Sequence, residues 1–500
     1  MIERILTLNV LIPWMASMAF GIFVGATPGL TATMAVALIV PISFQFSDPN
    51  TGLAMIIGVG FTAIFAGDIP ATYLRIPGTP ASAVATLDGH AMAKQGRGEL
   101  ALMVDLTCSC LGGLIGVVLL MLVAQPLAGF ALHFSDFEYF WLGVMGLSMS
   151  ALVCQGNTLR GLTAAMLGVL ISTVGMDVVT GVPRYPLMET VGSVELMGGF
   201  NFIPVMIGLF GIAEVLRNVR AGLSWSAPGV PENEKVTVLD TLRHVWLHKW
   251  VVFRSGLTGT VIGALPGAGA DVAAWAAYGI AQKTSREPQA FGNGALAGVI
   301  APTSANNAAV AGAWIPALVF GVPGDAITAI VLGAMMMYDI TPGPQLFETD
   351  TAQINTIFLI ALATQFLLLP AGYIGIKTCG WLLRLPRRFI LAGVVVFSVV
   401  GAYALNNSMF DVGVMLVFGL IGFFLEVRGI PLAPLVLGLI LGDLVERKLR
   451  TGLISSGGDI TPMFTRPISA CLVLTLVAAF VITPLFNLVA KGRKSGPAGN

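Results

Sequence analysis

The sequence predicts an all-α polytopic membrane protein, and three observations carry the prediction. Hydrophobic residues make up 56% of the 500 residues and charged residues only 10%, whereas soluble globular chains carry about 25% charged residues. Apolar stretches of roughly 20 residues, long enough to cross a bilayer as a helix, recur from end to end. Two similar Pro-Gly segments occur in each half of the chain.

The apolar stretches predict about 11–13 membrane segments, including broken helices and re-entrant hairpins. The N-terminal stretch lacks a small-residue cleavage site, so we interpret it as a retained first helix. The expected organisation is a first repeat (1–216), a cytoplasmic connecting loop (217–250), a second repeat with C-terminal helices (251–490) and a cytoplasmic tail (491–500). The candidate segments lie near 8–27, 30–46, 51–67, 69–86, 100–132, 137–155, 159–176, 201–217, 254–281, 291–322, 324–338, 353–383, 389–405, 410–426, 430–445 and 467–490.

Charge and cysteine content exclude several classes of protein. The formal net charge is zero, so there is no electrostatic basis for binding nucleic acid. The five cysteines lie in or beside apolar stretches, and their spacing predicts neither a metal site nor a disulfide framework. No cofactor is expected.

The repeat is the feature that indicates function. Residues 21–29 (GIFVGATPG) resemble 259–267 (GTVIGALPG), and 69–78 (IPATYLRIPG) resemble 315–324 (IPALVFGVPG). A broken membrane helix persists only inside protein or beside a polar cavity, because lipid cannot hydrogen-bond the freed backbone groups. Breaks at matching places in two halves therefore predict a transport site.

The loops after the breaks predict that the two repeats are inverted. The loop at 47–50 (SDPN) has no basic residue, but its counterpart at 282–288 contains Lys283 and Arg286. After the second break the asymmetry reverses, with Lys94 and Arg97 in the first copy and none in the second. Because basic loops stay cytoplasmic, equivalent loops should lie on opposite faces. The same rule assigns to the cytoplasm the segments 217–250, 384–388 (RLPRR), 446–448 (Glu-Arg-Lys) and the C-terminal tail.

The first break of each copy predicts an anion site. Pro28 and Gly29 should stop a helix, and Pro266 and Gly267 should do the same in the second copy. The helix that restarts presents free N–H groups at its positive end, and the hydroxyl of Thr31 follows directly. The alternative is a proline kink without a ligand, capped by Asp271 in the second copy.

The second break of each copy predicts a hairpin tip, and we expect the two tips to meet near the midplane. The alternative is a loop at the membrane surface. The short helix predicted over 324–338 argues against it. The residues at these tips are Pro77, Gly78, Thr79 and Ser82 in the first copy and Pro323, Gly324, Asp325 and Thr328 in the second.

Polar residues inside apolar stretches are the candidates for contact with a ligand or ion. Asn306 and Asn307 are adjacent amides, which are costly in a membrane unless they are paired. The alternative for them is hydrogen bonding between helices. Asp68 and Arg75 lie two helical turns apart, where they form either a structural ion pair or part of a substrate site.

Several long motifs resemble the large membrane subunit of the tripartite tricarboxylate transporters. They include PGTPASAVATLDGHAMAKQGRGELAL, PGAGADVAAWAAYGIAQ, FGNGALAGVIAPTSANNAAVAGAWIPALVFGVPG and ITPGP, in the family's order and within about residues 15–425. The resemblance implies ion-coupled uptake of organic carboxylates across a bacterial inner membrane. It also implies two partners, a small four-helix membrane subunit and a periplasmic solute-binding protein.

The chain departs from this family at four positions. The family usually has glutamate at Thr303, serine at Asp325, and small or neutral polar residues at Asp68 and Arg75. A role of that glutamate cannot be carried over to this chain, and Asp325 either restores a carboxylate nearby or reflects a different substrate.

Three functional hypotheses follow. The first is a carboxylate permease coupled to Na⁺ or H⁺, and the second is an anion channel built from inverted half-helices. The third is a membrane enzyme, but the sequence has no HExxH, GxSxG or phosphate-binding loop motif. We therefore expect a transporter and not an enzyme. The predicted substrate contacts are Pro28, Gly29, Thr31, Pro77, Gly78, Thr79, Pro266, Gly267, Asn307, Pro323 and Gly324. The predicted ion-coupling residues are Asn306, Asp325 and Asp68.

Overall fold

The structure is a computed structural model that describes residues 7–153, 158–177, 180–184, 194–221, 236–382, 387–478 and 480. These residues form helices and connecting loops without a β-strand, which confirms the predicted all-α class. The longer helices of the first half are α1 (Leu8–Gly25), α2 (Ala32–Ser43), α3 (Pro49–Ala66), α4 (Asp68–Leu74), α5 (Ala85–Lys94), α6 (Gly98–Ala131), α7 (Asp136–Val153), α8 (Thr158–Ser172) and α9 (Phe202–Ala221).

The second half repeats the alternation of long and short helices. Its elements are α10 (Val238–Leu247), α11 (Lys249–Gly263), α12 (Gly269–Thr284), α13 (Leu296–Phe320), α14 (Ala326–Met337), α15 (Thr351–Leu382), α16 (Arg387–Asn406), α17 (Met409–Val427), α18 (Leu432–Ser455) and α19 (Pro467–Ala478). Short helical turns occur at Ala81–Ala83, Val194–Gly198, Pro288–Ala290, Leu346–Thr349 and Pro462–Thr465.

Seven of the described helical stretches are long and apolar enough to cross a membrane. They are α1, the α3–α4 stretch Pro49–Leu74, α6, α9, the stretch Thr351–Thr378 of α15, Arg388–Asn406 of α16, and α17. Helices α2, α8, α14 and α19 are apolar but shorter. The first predicted span is present as α1, and the predicted segment 69–86 is divided by a break between α4 and α5.

Helices α1 and α2 form a hairpin that reaches only part of the way along its neighbour α3. Helix α1 runs parallel to α3, because Gly21 lies against Val59 and Gly25 lies against the carbonyl of Ala63. The chain then turns, and α2 runs back before α3 begins. Since Ala63 is near the middle of the α3–α4 stretch, the turn of this hairpin lies level with the middle of a full-length helical stretch.

The second half contains the same arrangement. Helix α11 runs parallel to α13, because Gly259 lies against Ala305 and Gly263 lies against the carbonyl of Ala309. Ala309 is near the middle of α13, so the α11–α12 turn also lies level with the middle of a long helix. In both halves a glycine allows a close backbone approach that any larger residue would prevent.

The loops group on the two faces that the charge asymmetry predicts. The first group, the basic-loop face, joins the loops that contain Lys94 and Lys283, because Gln95 Nε2 donates to the carbonyl of Asn293 at 3.0 Å. The second group, the acidic-loop face, joins 44–50 to 338–353, since Gln353 Nε2 donates to Asn50 Oδ1 at 3.1 Å. Helix α3 therefore runs from the acidic-loop face and α13 from the basic-loop face.

The prediction that residues 446–448 share a face with Lys94 is wrong. Lys448 Nζ lies 2.7 Å from Asp136 Oδ1, and Asp136 follows the far end of α6, a helix of 34 residues that starts beside Arg97. At 1.5 Å per residue α6 spans about 51 Å, so these residues lie at the acidic-loop face. The charges of Arg447 and Lys448 carry no orientation signal, because Asp443 and Asp136 neutralise them.

The predicted connecting loop, 217–250, is partly helical. Helix α9 continues to Ala221, and α10 and the start of α11 occupy the end of the segment. Residues 222–235, with their Pro/Gly-rich part, lie outside the described residues, as do 384–386 of the RLPRR segment and the C-terminal tail. Val245 of α10 packs with Leu100 of α6 and Ile300 of α13, which assigns this segment to the basic-loop face, as expected.

Two bundles of three helices flank the hairpins. In each bundle, two helices come from one half of the chain and the third comes from the other half. Helices α7 and α8 pack against α18, while α16 and α17 pack against α9. These exchanged helices, the matched glycine contacts and the opposite senses of α3 and α13 are the arrangement that inverted repeats would produce. The inverted repeat itself stays a prediction.

Candidate functional site

The first break lies between α1 and α2. Gly29 has φ +89°, a conformation that glycine adopts without strain, and α2 begins two residues after Leu30. Thr31 is the N-cap of α2, because its hydroxyl oxygen accepts from the amide of Met34 at 3.2 Å. Pro28 is buried and Gly29 half-buried. The helix stops where the sequence predicts, and the cap uses the acceptor lone pair of Thr31 while its hydroxyl hydrogen stays available.

Asn218, which the sequence analysis missed, holds this break in place. Its Nδ2 donates to the carbonyl of Gly29 at 3.1 Å and to Glu214 Oε1 at 2.6 Å. Helix α9 reaches this point through a π-helical turn at Ile207–Ile212, a local widening that is frequent at functional sites. The signal was present in the AEVLRNVRA segment, where Glu214 and Asn218 are spaced i, i+4. The sequence analysis did not use this spacing, because it assigned the residues from 217 onward to a loop.

The first break of the second copy lies between α11 and α12. Gly267 has φ +81° and its amide donates to the carbonyl of Gly324 at 2.7 Å, which joins the two breaks of this copy. Asp271 does not cap α12, which has no side-chain cap, so the capping expected in the ligand-free alternative is wrong, while the predicted ligand site stays a prediction. Helix α12, which carries Asp271, packs against the Ala81–Ala83 turn of the first copy and therefore links the two halves.

The second pair of breaks packs directly on the first pair. The amide of Gly78 donates to the carbonyl of Gly67 at 3.1 Å, and Gly78 lies so close to the carbonyl of Gly25 that an added Cβ would be 2.5 Å from it. A Cβ on Gly324 would be 2.8 Å from the carbonyl of Gly263. Each tip therefore packs against the helix turn of its own copy. That the two tips meet near the midplane stays a prediction.

The residues around these tips differ in exposure. Pro77 is exposed, whereas Pro323 and Pro266 are buried. Thr79 is buried, and its hydroxyl lies 2.6 Å from the hydroxyl of Ser82. The tip of the first copy is therefore accessible from outside the protein, while the tip of the second copy is enclosed.

The carboxylate of Asp325 has a structural partner. Asp325 is the N-cap of α14 in a capping box, in which Thr328 N donates to Asp325 Oδ1 at 2.8 Å and Asp325 N donates to Thr328 Oγ1 at 2.9 Å. Its Cβ lies near Gly269. One carboxylate oxygen of Asp325 thus helps start α14, and the role predicted for this residue in ion coupling is untested.

Asn306 and Asn307 lie on α13 and are buried, with 3% and 0% of their surface exposed. The alternative of hydrogen bonding between helices is not observed. Asn306 Oδ1, Asn307 Oδ1 and Asn307 Nδ2 have no hydrogen-bond partner within the described part of the chain. Unpaired buried amides are costly, so a ligand, an ion or water is the expected partner.

The predicted pairing of Asp68 with Arg75 is wrong. Helix α4 ends at Leu74, and Arg75 takes a left-handed conformation (φ 58°) that turns it away from the face of Asp68. Arg75 is exposed and Asp68 is buried. The carboxyl group of Asp68 lies instead beside the hydroxyl of Ser82 and the carboxyl group of Asp105.

Asp105 was missed by the sequence analysis. It lies on α6, is 2% exposed, and accepts from Thr303 Oγ1 at 2.5 Å. The signal was a lone acid within the predicted span 100–132. Thr303, at the position where the resembling family usually has glutamate, therefore contacts a carboxyl group that another helix supplies.

A cavity of about 970 Å³ opens at the acidic-loop face beside the second copy. Phe320 and Gly321, which precede the break at Pro323, form part of its wall. Arg184, Arg447 and Lys448 also line it, and each pairs with a carboxylate. This cavity approaches the enclosed tip from one face of the protein.

Broken helices inside a multi-pass helical bundle, with the two breaks of each copy packed on one another, are typical of a membrane transport protein. The chain belongs to the tripartite tricarboxylate transporter TctA family, whose model matches residues 11–437. It is accordingly a large membrane subunit of such a transporter, and members of this family normally work with other subunits. Membership of a transporter family indicates transport and not catalysis.

Two relatives come from Agrobacterium vitis. One, described as an uncharacterized 52.8 kDa protein in the TAR-I ttuC' 3'region, is 36% identical over 485 residues, which are 95% of this chain and 93% of the relative. The other, described as an uncharacterized protein in the TAR-II ttuC' 3'region, is 38% identical over 218 residues, which are 43% of this chain and 88% of the relative. No solved structure matches the chain.

Proposed function

We propose that this chain is the membrane pathway of an ion-coupled secondary transporter in a bacterial inner membrane. It imports a dicarboxylate, a tricarboxylate or a related organic anion delivered by a periplasmic solute-binding protein, and it works with a small four-helix membrane subunit. Membership of the TctA family supports the class of substrate. The observation that carries the mechanism is the packing of the breaks on one another, through Gly78–Gly25 in the first copy, Gly267–Gly324 in the second, and the contact of α12 with the Ala81–Ala83 turn between the copies.

The substrate carboxylates bind at the breaks, where backbone amides and hydroxyl groups face one another. The starts of α2 and α12 supply positive helix ends, and the hydroxyls of Thr31 and Thr79 supply donors. Asn307 contributes its unpaired amide. The glycines and prolines of the breaks allow the backbone to approach the ligand closely. The site consists of Pro28, Gly29, Thr31, Pro77, Gly78, Thr79, Pro266, Gly267, Asn307, Pro323 and Gly324.

Coupling to Na⁺ or H⁺ uses the buried carboxyl and amide groups near these breaks. Asp68 and Asn306 each have a buried side-chain oxygen without a hydrogen-bond partner in the described structure. Asp325 lies near Asp271 and the enclosed tip. A buried carboxylate without a nearby cation is unfavourable, so binding of a positive ion at this depth would stabilise the loaded state.

The two inverted repeats move relative to one another during alternating access. Three observations support this part of the proposal: α1 with α3 and α11 with α13 make corresponding glycine contacts, α3 and α13 run in opposite senses, and each bundle of three helices contains one helix from the other half. The cavity beside Gly321 is then an access route from the acidic-loop face.

Substitution of the break prolines tests the mechanism. Pro28→Ala and Pro323→Ala remove the residues that stop the helices, so we expect uptake of the anion to fall more than tenfold while membrane insertion persists. Uptake is measured in proteoliposomes that contain the complete tripartite system, with imposed Na⁺ or H⁺ gradients. Pro126→Ala is the matched control, because Pro126 lies inside the long helix α6, away from the breaks. Normal uptake by both break variants would overturn the mechanism.

The same vesicles discriminate the transporter from an anion channel. A coupled transporter accumulates substrate against its gradient when an ion gradient is imposed, and it requires the binding protein. A channel equilibrates the substrate without either. Accumulation that disappears with the ion gradient is the result we expect.

A further inference from the structure

Two buried carboxyl groups meet between helices α4 and α6. Asp68 is the first residue of α4 and Asp105 lies two turns into α6, and the two helices pack against each other. Asp68 is 3% exposed and Asp105 is 2% exposed. Their side chains approach within hydrogen-bonding reach. The contact therefore places two acids together where water is excluded.

Each carboxyl group has one neutral hydroxyl neighbour and one unsatisfied oxygen. Thr303 Oγ1 donates to Asp105 Oδ1 at 2.5 Å, and Ser82 lies beside Asp68. Asp68 Oδ1 and Asp105 Oδ2 are buried and have no hydrogen-bond partner in the described structure. Two ionised carboxylates offer only acceptors, so a hydrogen bond between the two groups requires that one of them carry a proton.

No basic side chain of the described residues forms an ion pair with either acid. Arg75 is exposed at the end of α4. Basic side chains on neighbouring helices have other partners. Lys377 of α15 pairs with Glu99, and His90 of α5 bonds through Nδ1 to the carbonyl of Thr72. The other titratable groups on α4, α5 and α6 are Tyr73, Asp88, Lys94, Cys108 and Cys110, and Arg254 and Tyr278 lie on α11 and α12.

We propose that Asp68 and Asp105 bind one proton between them and that this pair is the site at which a proton couples to transport. One carboxyl group carries the hydrogen on its outer oxygen and donates it to the facing oxygen of the other, so the pair holds a single negative charge. Two carboxylates in contact cannot both stay ionised without a cation, as aspartic-protease dyads illustrate. This inference rests on the proposed ion-coupled transport and commits its ion to a proton.

The location gives the pair a way to sense the transport cycle. Asp68 follows Gly67, whose carbonyl accepts from Gly78 at the first-copy tip. Ser82 follows the same tip and is hydrogen-bonded to Thr79. Movement of this tip therefore changes the surroundings of Asp68, while Asp105 is held by Thr303 on α13. Protonation and the position of the tip are linked in both directions.

Infrared spectroscopy of the purified full-length chain in nanodiscs tests the shared proton without substrate or partners. We expect the wild type at pH 7 to show the C=O band of a protonated carboxyl group, shifted by D₂O exchange. Asp68→Asn and Asp105→Asn should each abolish this band, because each removes one member of the pair. Asp136→Asn is the matched control, since Asp136 pairs with Lys448 at the acidic-loop face, and it should retain the band.

The outcomes separate this inference from the proposed function. Persistence of the band in either Asn variant, or its removal by NaCl at constant pH, would overturn the shared proton, the latter because Na⁺ would then occupy the site. Thermal unfolding of each variant reports folding, and Asp68→Glu and Asp105→Glu should restore a protonated carboxyl band. Failure of anion uptake in the complete system, with the band present, would count against the proposed function alone.

Discussion

At the scale of single residues, close backbone contacts rather than side-chain chemistry define the candidate site. Gly78 and Gly324 occupy corresponding positions, and each lies against the carbonyl of a glycine that ends the first helix of its own copy. The Pro-Gly pairs could be predicted from sequence because both residues restrict or release the backbone locally. The contact between Asp68 and Asp105 could not be predicted from the sequence. The two residues are 37 positions apart, and the packing of α4 on α6 that brings them together leaves no local sequence pattern.

Replacing these tip glycines should disable transport. Gly78→Ala and Gly324→Ala add a methyl group where the nearest backbone atoms are 2.5 Å and 2.7 Å away, so the tip must move. Overpacking of this kind costs about 1–3 kcal/mol. We expect uptake to fall more than tenfold and the unfolding temperature to drop.

Gly413→Ala is the control for these two variants. Gly413 lies in α17 with no atom near its would-be Cβ, and alanine is the better helix former. It should leave uptake and the unfolding temperature essentially unchanged. If Gly78→Ala and Gly324→Ala behaved in the same way as Gly413→Ala, close packing at the tips would be unimportant for transport.

At the scale of elements, buried polar side chains connect the two halves. Asp88 of α5 is fully buried, and its Oδ1 accepts from the amides of Gly292, Gly294 and Ala295 at 2.8 Å each. Its Oδ2 accepts from Tyr278 of α12 at 2.9 Å. This carboxylate therefore holds the start of α13 and the end of the α11–α12 hairpin against the first half.

Helix boundaries were only partly predictable at this scale. The break between α4 and α5 follows from Pro77 and Gly78, and the start of α14 from Asp325. The continuation of α9 to Ala221 was not predicted, because its last turns are rich in charged residues and were interpreted as a loop. Packing against α17 stabilises those turns, and Arg217 pairs with Glu214 there.

Removing the carboxylate of Asp88 should destabilise the basic-loop face. Asp88→Ala removes the acceptor of three backbone amides and of the buried hydroxyl of Tyr278, and an unsatisfied buried group costs about 1–3 kcal/mol. Thermal unfolding in detergent should show a clear decrease in midpoint, with Asp88→Asn intermediate because one oxygen remains. The control is Glu348→Ala, which removes an exposed carboxylate. Equal midpoints for Asp88→Ala and Glu348→Ala would show that this carboxylate does not hold the halves together.

At the scale of the whole molecule, each face has a hydrogen bond between the two halves. Gln95 contacts Asn293 at the basic-loop face, and Gln353 contacts Asn50 at the acidic-loop face. The orientation signal correctly grouped these four segments, because the two that contain basic residues lie at one face and the two without them lie at the other. The same signal assigned Lys448 to the wrong face. Asp136 neutralises the charge of Lys448, so a count of basic residues alone was misleading there.

Cross-links at the two faces test whether the halves must separate during transport. Gln95→Cys with Asn293→Cys, and separately Asn50→Cys with Gln353→Cys, are made in a chain whose five native cysteines are replaced. A short thiol-reactive, reducible cross-linker should block uptake at either face, since alternating access requires each to open in turn. Reductant should restore uptake, and each single-cysteine variant treated alike should keep it. Undiminished uptake with both cross-links formed in high yield would mean that neither face opens between the halves, and the relative motion of the two repeats would have to be abandoned.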